Sequence, residues 1–128
     1  MSPLVAVTTE EAPRGTGAYS QAIRAGDFLF ISGQGPLGPE TLEVRGEGVE
    51  EQTEHTLRNL EAIARAAGGS LEDVVKVSVF LASIEDFPAF NTTYERFFHE
   101  PWPARTTTGA DLRNILVEID AVLYLPRP

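Results

Sequence analysis

The segment from Ile115 to Leu125 constrains this chain more than any other. It alternates with a strand's period of two. Ile115, Val117, Ile119, Ala121, Leu123 and Leu125 fall on one face, and Leu116, Glu118, Asp120, Val122 and Tyr124 on the other. The first face is wholly apolar and belongs in a core. The second is also largely apolar, yet it carries two carboxylates, and that combination needs an explanation that one layer of helices does not provide.

The rest of the sequence supplies the partners. Asp27 to Ser32 reads as a buried strand that follows the turn Ala25-Gly26-Asp27, with Tyr19 to Arg24 as its hairpin partner. Gly33, Gly35 and Gly38, with Pro36 and Pro39, end it in a loop. From Glu47 to Ala67 the period becomes helical. Val49, Thr53, Thr56, Leu57, Leu60, Ile63, Ala64 and Ala67 make one stripe, and Glu50, Glu51, Glu54, Arg58 and Arg65 lie mostly off it, a solvated face. Gly68-Gly69 stops the helix. Ser70, with Asp73 three residues on, caps a short turn before the strand Val74 to Leu81, where Val75, Val77, Val79 and Leu81 share a face and Lys76 and Ser78 the other. A second helix opens at Asp86 with Pro88 in its first turn, and carries Phe87, Phe90, Tyr94, Phe97 and Phe98 along one side as core. Pro101-Trp102-Pro103 breaks it and leads into the strand Ala104 to Thr108. The order is ββαβαββ, an α+β domain spanning residues 1–128 with two helices on one face of its sheet. The other face is left for another chain, and closed cyclic symmetry is the usual form of such an assembly.

Composition narrows the function. Among 128 residues there is no cysteine, so disulfides, thiolate metal sites and a cysteine nucleophile are excluded. Ten basic and 19 acidic residues give a net charge of −9 without any basic stripe, an unfavourable surface for a phosphate backbone. The opening residues, Met1 to Ala12, have neither the basic region nor the apolar run of a signal peptide, and no run approaches a membrane span. The expectation is a soluble, cytoplasmic protein without nucleic-acid or membrane partners. His55 and His99 have charged neighbours and read as surface residues.

Two residues stand out. Glu118 lies inside the most hydrophobic strand, where a carboxylate must be hydrogen-bonded, ion-paired or functional. An edge or interface salt bridge and a functional role are both open on pattern alone. Arg105 follows Pro103-Ala104 at the start of a strand, and spacing alone suggests a surface or inter-subunit ion pair.

The residues around them form a recognisable set. Pro103-Ala104-Arg105-Thr106-Thr107 and Leu116-Val117-Glu118-Ile119 resemble the C-terminal signature of the Rid (YjgF-like) family. Gly17-Ala18-Tyr19-Ser20-Gln21-Ala22 is similar to its N-terminal motif, and Phe30-Ile31-Ser32-Gly33-Gln34 to its S-G-Q strand. Asp73 to Leu81 and Phe90-Asn91-Thr92-Thr93-Tyr94 match its middle blocks. The resemblance implies a chorismate-mutase-like fold and a homotrimer with a site in each inter-subunit cleft. It also implies cofactor-independent hydrolysis of 2-imino acids and their enamine tautomers, such as 2-aminoacrylate. It places catalysis on Arg105 and Glu118, and substrate binding on Tyr19, Ser32, Asn91, Arg105 and Thr107, the last mainly through its backbone. No metal is implied.

That chemistry suits the two residues. Arginine's planar fork grips a carboxylate through two parallel hydrogen bonds, and a glutamate can orient water, take its proton and return one to the leaving amine. Three features depart from the family pattern. Ala18 replaces a proline, Thr107 stands where many members have cysteine, and Leu112-Arg113-Asn114 lacks a leucine-proline turn. The competing readings are a Rid-like protein that binds a small carboxylate or regulates a partner without turnover, a ribonuclease, and a pathway-specific deaminase acting on an aminomuconate-like enamine.

Overall fold

The computed structural model describes residues 3–126. Its strands are β1 (Leu4–Val7), β2 (Ala22–Ala25), β3 (Phe28–Gln34), β4 (Val74–Leu81), β5 (Ala104–Gly109) and β6 (Val117–Tyr124); its helices are α1 (Val49–Ala66) and α2 (Phe87–Tyr94). They form one six-stranded sheet in the order β1-β2-β3-β6-β4-β5, antiparallel except for the parallel pair β4 and β5 that α2 connects. The α+β class and the two helices on the sheet are as the sequence predicts. The order gains an N-terminal strand, because β1 is a four-residue edge strand, mostly exposed, and such a strand shows no alternation to read.

Local chemistry explains the joints. Gly26 bridges β2 and β3 at φ 58°, where a two-residue hairpin turn needs a residue without a Cβ, and Ala25 pairs with Phe28 across it. Ser70 and Asp73 form the expected capping box, with Asp73 Oδ2 accepting from the Ser70 amide at 2.9 Å and Ser70 Oγ from the Glu72 amide at 3.1 Å. In β4 the pairing with β6 slips by a residue between Val74 and Lys76. This bulge turns Val74 into the core and leaves Val75 43% exposed, contrary to the regular alternation expected of that strand.

The core lies between the helices and one sheet face. Leu29, Ile31, Val77, Val79, Leu81, Val117, Ile119, Ala121 and Leu123 are all buried there against Leu57, Leu60, Ile63 and Phe90. Across the sheet the other face is bare: Phe28, Phe30, Val75 and Tyr124 are each more than two-fifths exposed, and the Phe28 and Tyr124 rings sit 5.5 Å apart. The sequence's main expectation, an apolar face that the helices leave uncovered, is met.

Two polar residues inside the α1 stripe have structural tasks that helical periodicity cannot show. Buried Asn59 donates to Gly35 O at 2.9 Å and Leu37 O at 3.0 Å, fastening the loop after β3. Buried Gln52 donates to Gly46 O at 3.0 Å and accepts from the Leu116 amide at 2.8 Å, fixing the approach to β6. Replacing Asn59 by leucine keeps the bulk but orphans two carbonyls. Chemical denaturation at fixed protein concentration should show a loss of about 1–3 kcal/mol.

Candidate active site

Arg105 lies on β5, paired with the fully buried Val77, so its side chain rises on the helix-covered face at the edge of the sheet. There it meets α2. Its guanidinium carbon is 4.7 Å from the Tyr94 ring centroid, 5.4 Å from Phe87 and 5.8 Å from Phe90, an aromatic platform for a planar cation. Nη1 donates to Asn91 Oδ1 at 2.8 Å. Asn91 in turn donates through Nδ2 to Glu95 Oε1 at 3.0 Å, which keeps its carbonyl turned toward the arginine. Among the described residues no carboxylate lies within ion-pair distance of Arg105. Its head lines an open cavity of about 370 Å³ with Asn91, Tyr94, Glu95, Trp102 and Pro103. Burial pushes the Tyr94 hydroxyl above its ordinary pKa, partly offset by the neighbouring Arg105 guanidinium, and among the described residues that hydroxyl has no partner in hydrogen-bond geometry. Thr107, two residues along β5, shares Arg105's face and is half-buried opposite Val79.

Glu118 lies elsewhere. It pairs with Phe80 on β4, which faces away from the helices. Adjacent strands keep paired residues on one face, so Arg105 (with Val77) and Glu118 (with Phe80) project from opposite faces of the same sheet. Glu118 is half-buried, and its carboxylate has neither hydrogen bond nor ion pair among the described residues. It rests over the Cα of Gly33 in β3. Burial, and secondarily the charge of Asp120, raises its pKa above the usual carboxylate range.

The remaining expected residues lie about Gly33, the residue that Glu118 covers. Ser32, next to Gly33, donates its hydroxyl to Ser20 O at 2.6 Å and its amide to Gln21 O at 2.9 Å. Those bonds tie β3 to the segment bearing Tyr19, whose ring is 52% exposed and whose hydroxyl accepts from the Thr16 amide at 3.4 Å. Buried Gln21 pins that segment: it donates to Pro13 O at 2.8 Å and accepts from the Thr9 amide at 2.7 Å. A small pocket lined by Arg14, Tyr19, Gln21, Gly33 and Gln34 lies there. One chain thus brings Arg105, Asn91 and Thr107 together on one side of the sheet and puts Glu118 on the other over Gly33, with Ser32 next to Gly33 in β3 and Tyr19 lining the small pocket that Gly33 also borders.

Sequence reasoning missed three contributors. The α2 aromatics are core, as expected, but Phe87, Phe90 and Tyr94 also carry Arg105. Gln21 and Gly33 were visible only as parts of motifs. A buried glutamine leaves no trace in periodicity, and a glycine's use depends on what approaches it.

Comparison with known proteins agrees with the fold. The family model described as Endoribonuclease L-PSP matches residues 9–125. A RutC family protein of Pyrococcus horikoshii is 44% identical over 120 residues, covering 92% of this chain and 95% of that protein. The 2-iminobutanoate/2-iminopropanoate deaminase of Dermatophagoides farinae is 36% identical over 127 residues, covering 98% and 99%. The crystal structure of RidA from an Antarctic Psychrobacter superposes with a TM-score of 0.90 at 41% identity, covering 94% of this chain and 99% of that one. The chain belongs to the Endoribonuclease L-PSP family, that of the YjgF and RidA proteins.

Proposed function

We propose that this chain is a cofactor-independent deaminase that hydrolyses 2-imino acids, and 2-enamino acids such as 2-aminoacrylate through their imine tautomers, to 2-keto acids and ammonia. One observation carries the reading. A half-buried guanidinium, stacked on aromatics and oriented by Asn91, opens into a cavity and has no ion pair among the described residues, the lining carboxylate of Glu95 being engaged by Asn91 instead. That is a receptor for a small carboxylate. The Dermatophagoides relative's name supplies the reaction class.

Arg105 holds the substrate carboxylate and so places C2. Water adds to C2 as the C=N bond opens, and Glu118 takes the proton that water loses. That proton passes to nitrogen to give a carbinolamine, the hydroxyl proton follows it to nitrogen through Glu118, the C2–N bond breaks, and the carbonyl forms as ammonia leaves. Desolvation raises the Glu118 pKa, which makes its carboxylate a better proton acceptor. Imines hydrolyse unaided in water, so positioning and a single acid/base suffice.

Because Arg105 and Glu118 occupy opposite faces, the site needs a second copy. We propose a closed homotrimer in which the bare apolar face of one chain, with Glu118, Ser32 and Tyr19, covers the Arg105 cavity of its neighbour. The cytoplasmic setting expected from the sequence is part of the same proposal; among the described residues no helix is long and apolar enough to cross a membrane. The nuclease named in the family description is the weaker reading, since a net charge of −9 repels a phosphate backbone. A protein that only binds a small carboxylate would need Arg105 but has no use for a desolvated base.

With 2-aminoacrylate generated in situ, the protein should speed release of pyruvate and ammonia. Arg105→Lys should lose on the order of a few kcal/mol in kcat/KM, because a point charge cannot reproduce the fork. A lysine variant with unchanged kinetics would place carboxylate binding elsewhere.

Glu118→Gln should slow turnover by roughly 10²–10⁴-fold with binding nearly intact. Stability should move the other way. A carboxyl whose folded pKa is raised stabilises the fold at low pH, and that contribution is lost as pH rises through the raised value. Thermal melts should therefore find the glutamine variant at or above the wild type near neutral pH, the difference vanishing in acid. A glutamate serving only as an interface salt bridge gives the reverse: normal turnover in a weakened assembly.

A further inference from the structure

No positive φ requires glycine at position 33. The positive-φ glycines among the described residues are Gly26, Gly46 and Gly68, and Gly33 lies within β3. Glycine inside a strand costs stability, and a close approach is one of its few explanations. Here the approach is specific. A Cβ at Gly33 would overlap Glu118 Oε2 and stand 3.0 Å from Glu118 Cδ and 3.3 Å from Cγ, with no other residue among its nearest neighbours. The pairing of β3 with β6 is irregular between Ile31 and Gln34, the stretch that contains Gly33, and Gln34 pairs with Ile119, the neighbour of Glu118.

We propose that Gly33 is a positioning residue for the reaction: its missing side chain is the seat in which the Glu118 carboxylate rests. This rests on Glu118 being the base, and it assigns to Gly33 a steric task distinct from any contact with substrate. Without the seat the carboxylate swings off its position over β3. The substrate still binds at Arg105, but the base no longer meets the water. Because the obstacle is the end of a flexible side chain, the fold should accept alanine while Glu118 gives way.

The test is a double-mutant cycle on the assembled protein, with 2-iminopropanoate generated in situ and kcat and KM measured separately. Gly33→Ala should lower kcat by roughly 10²-fold or more, approaching the loss in Glu118→Gln, as expected for misplacing a general base, with KM changed only a few-fold. Added to Glu118→Gln, the same alanine should cost nothing further, because residues acting through one group are non-additive. Additive losses, or a Gly33→Ala enzyme at the wild-type rate beside a crippled Glu118→Gln, overturn the seat while leaving Glu118 as the base. A fully active Glu118→Gln overturns both. If Gly33→Ala fails to assemble, removing the obstructing carboxylate with Glu118→Ala should restore assembly, and failure of that pair as well overturns the inference.

Discussion

The pleat of a β-strand sends neighbouring residues to opposite sides, and in this sheet that alternation separates a cation from a carboxylate. Arg105 shares its face with Val77 and the helices; Glu118 shares its face with Phe80 and none of them. A slip of one residue in either strand would bring both to one side, but it would also turn the apolar rows of β4 and β6 out of the core, so burial locks the separation in place. On the proposed mechanism, a chain built this way carries two halves of a site that it cannot close by itself. The uncovered apolar face, with Phe28, Phe30, Val75 and Tyr124, provides the drive for a second copy to close it.

Each half is held ready by its surroundings. Asn91 and three aromatic rings fix the Arg105 head, so its remaining donors are pre-oriented before a ligand arrives. On the other side Glu118 has no partner to lower its pKa, and burial raises it. An ion pair between the two would be the more stable arrangement and a useless one, because the arginine would be saturated and the base neutralised. Keeping them apart costs stability at both positions, the usual sign of a site arranged for a third component.

The sequence disclosed the elements where packing follows periodicity. The bounds of β4 could be read directly, α1 was found to within two residues of its ends, and α2 at its start, but α2 stops at Tyr94, short of the Phe97 and Phe98 expected on it. It lost accuracy where geometry is set by neighbours: the bulge at Val75 depends on the register with β6, and β1 exists only because β2 offers an edge. The site shows the same division. Glu118 stood out because a carboxylate is anomalous in an apolar strand, but Arg105 looked like any strand-opening arginine until the surrounding motifs were considered. That the two face opposite ways is implicit in strand parity, yet it becomes visible only once Val77 and Phe80 are known to be their partners. Asn59, Gln52 and Gln21 are ordinary polar residues in sequence, and only the carbonyls and amides they satisfy give them importance.

The central claim is that a working site takes Arg105 from one chain and Glu118 from another, and complementation tests it most directly. Arg105→Ala and Glu118→Gln proteins, each inactive alone, would be unfolded together, refolded as a mixture, and assayed for release of ammonia from 2-iminopropanoate. Where an Arg105 from the glutamine variant meets a Glu118 from the alanine variant, a complete site forms. Random assembly into closed rings should then recover roughly a quarter of wild-type activity. A mixture that exchanges subunits yet stays as inactive as its components would contradict the account, because it would mean that both residues must come from the same chain.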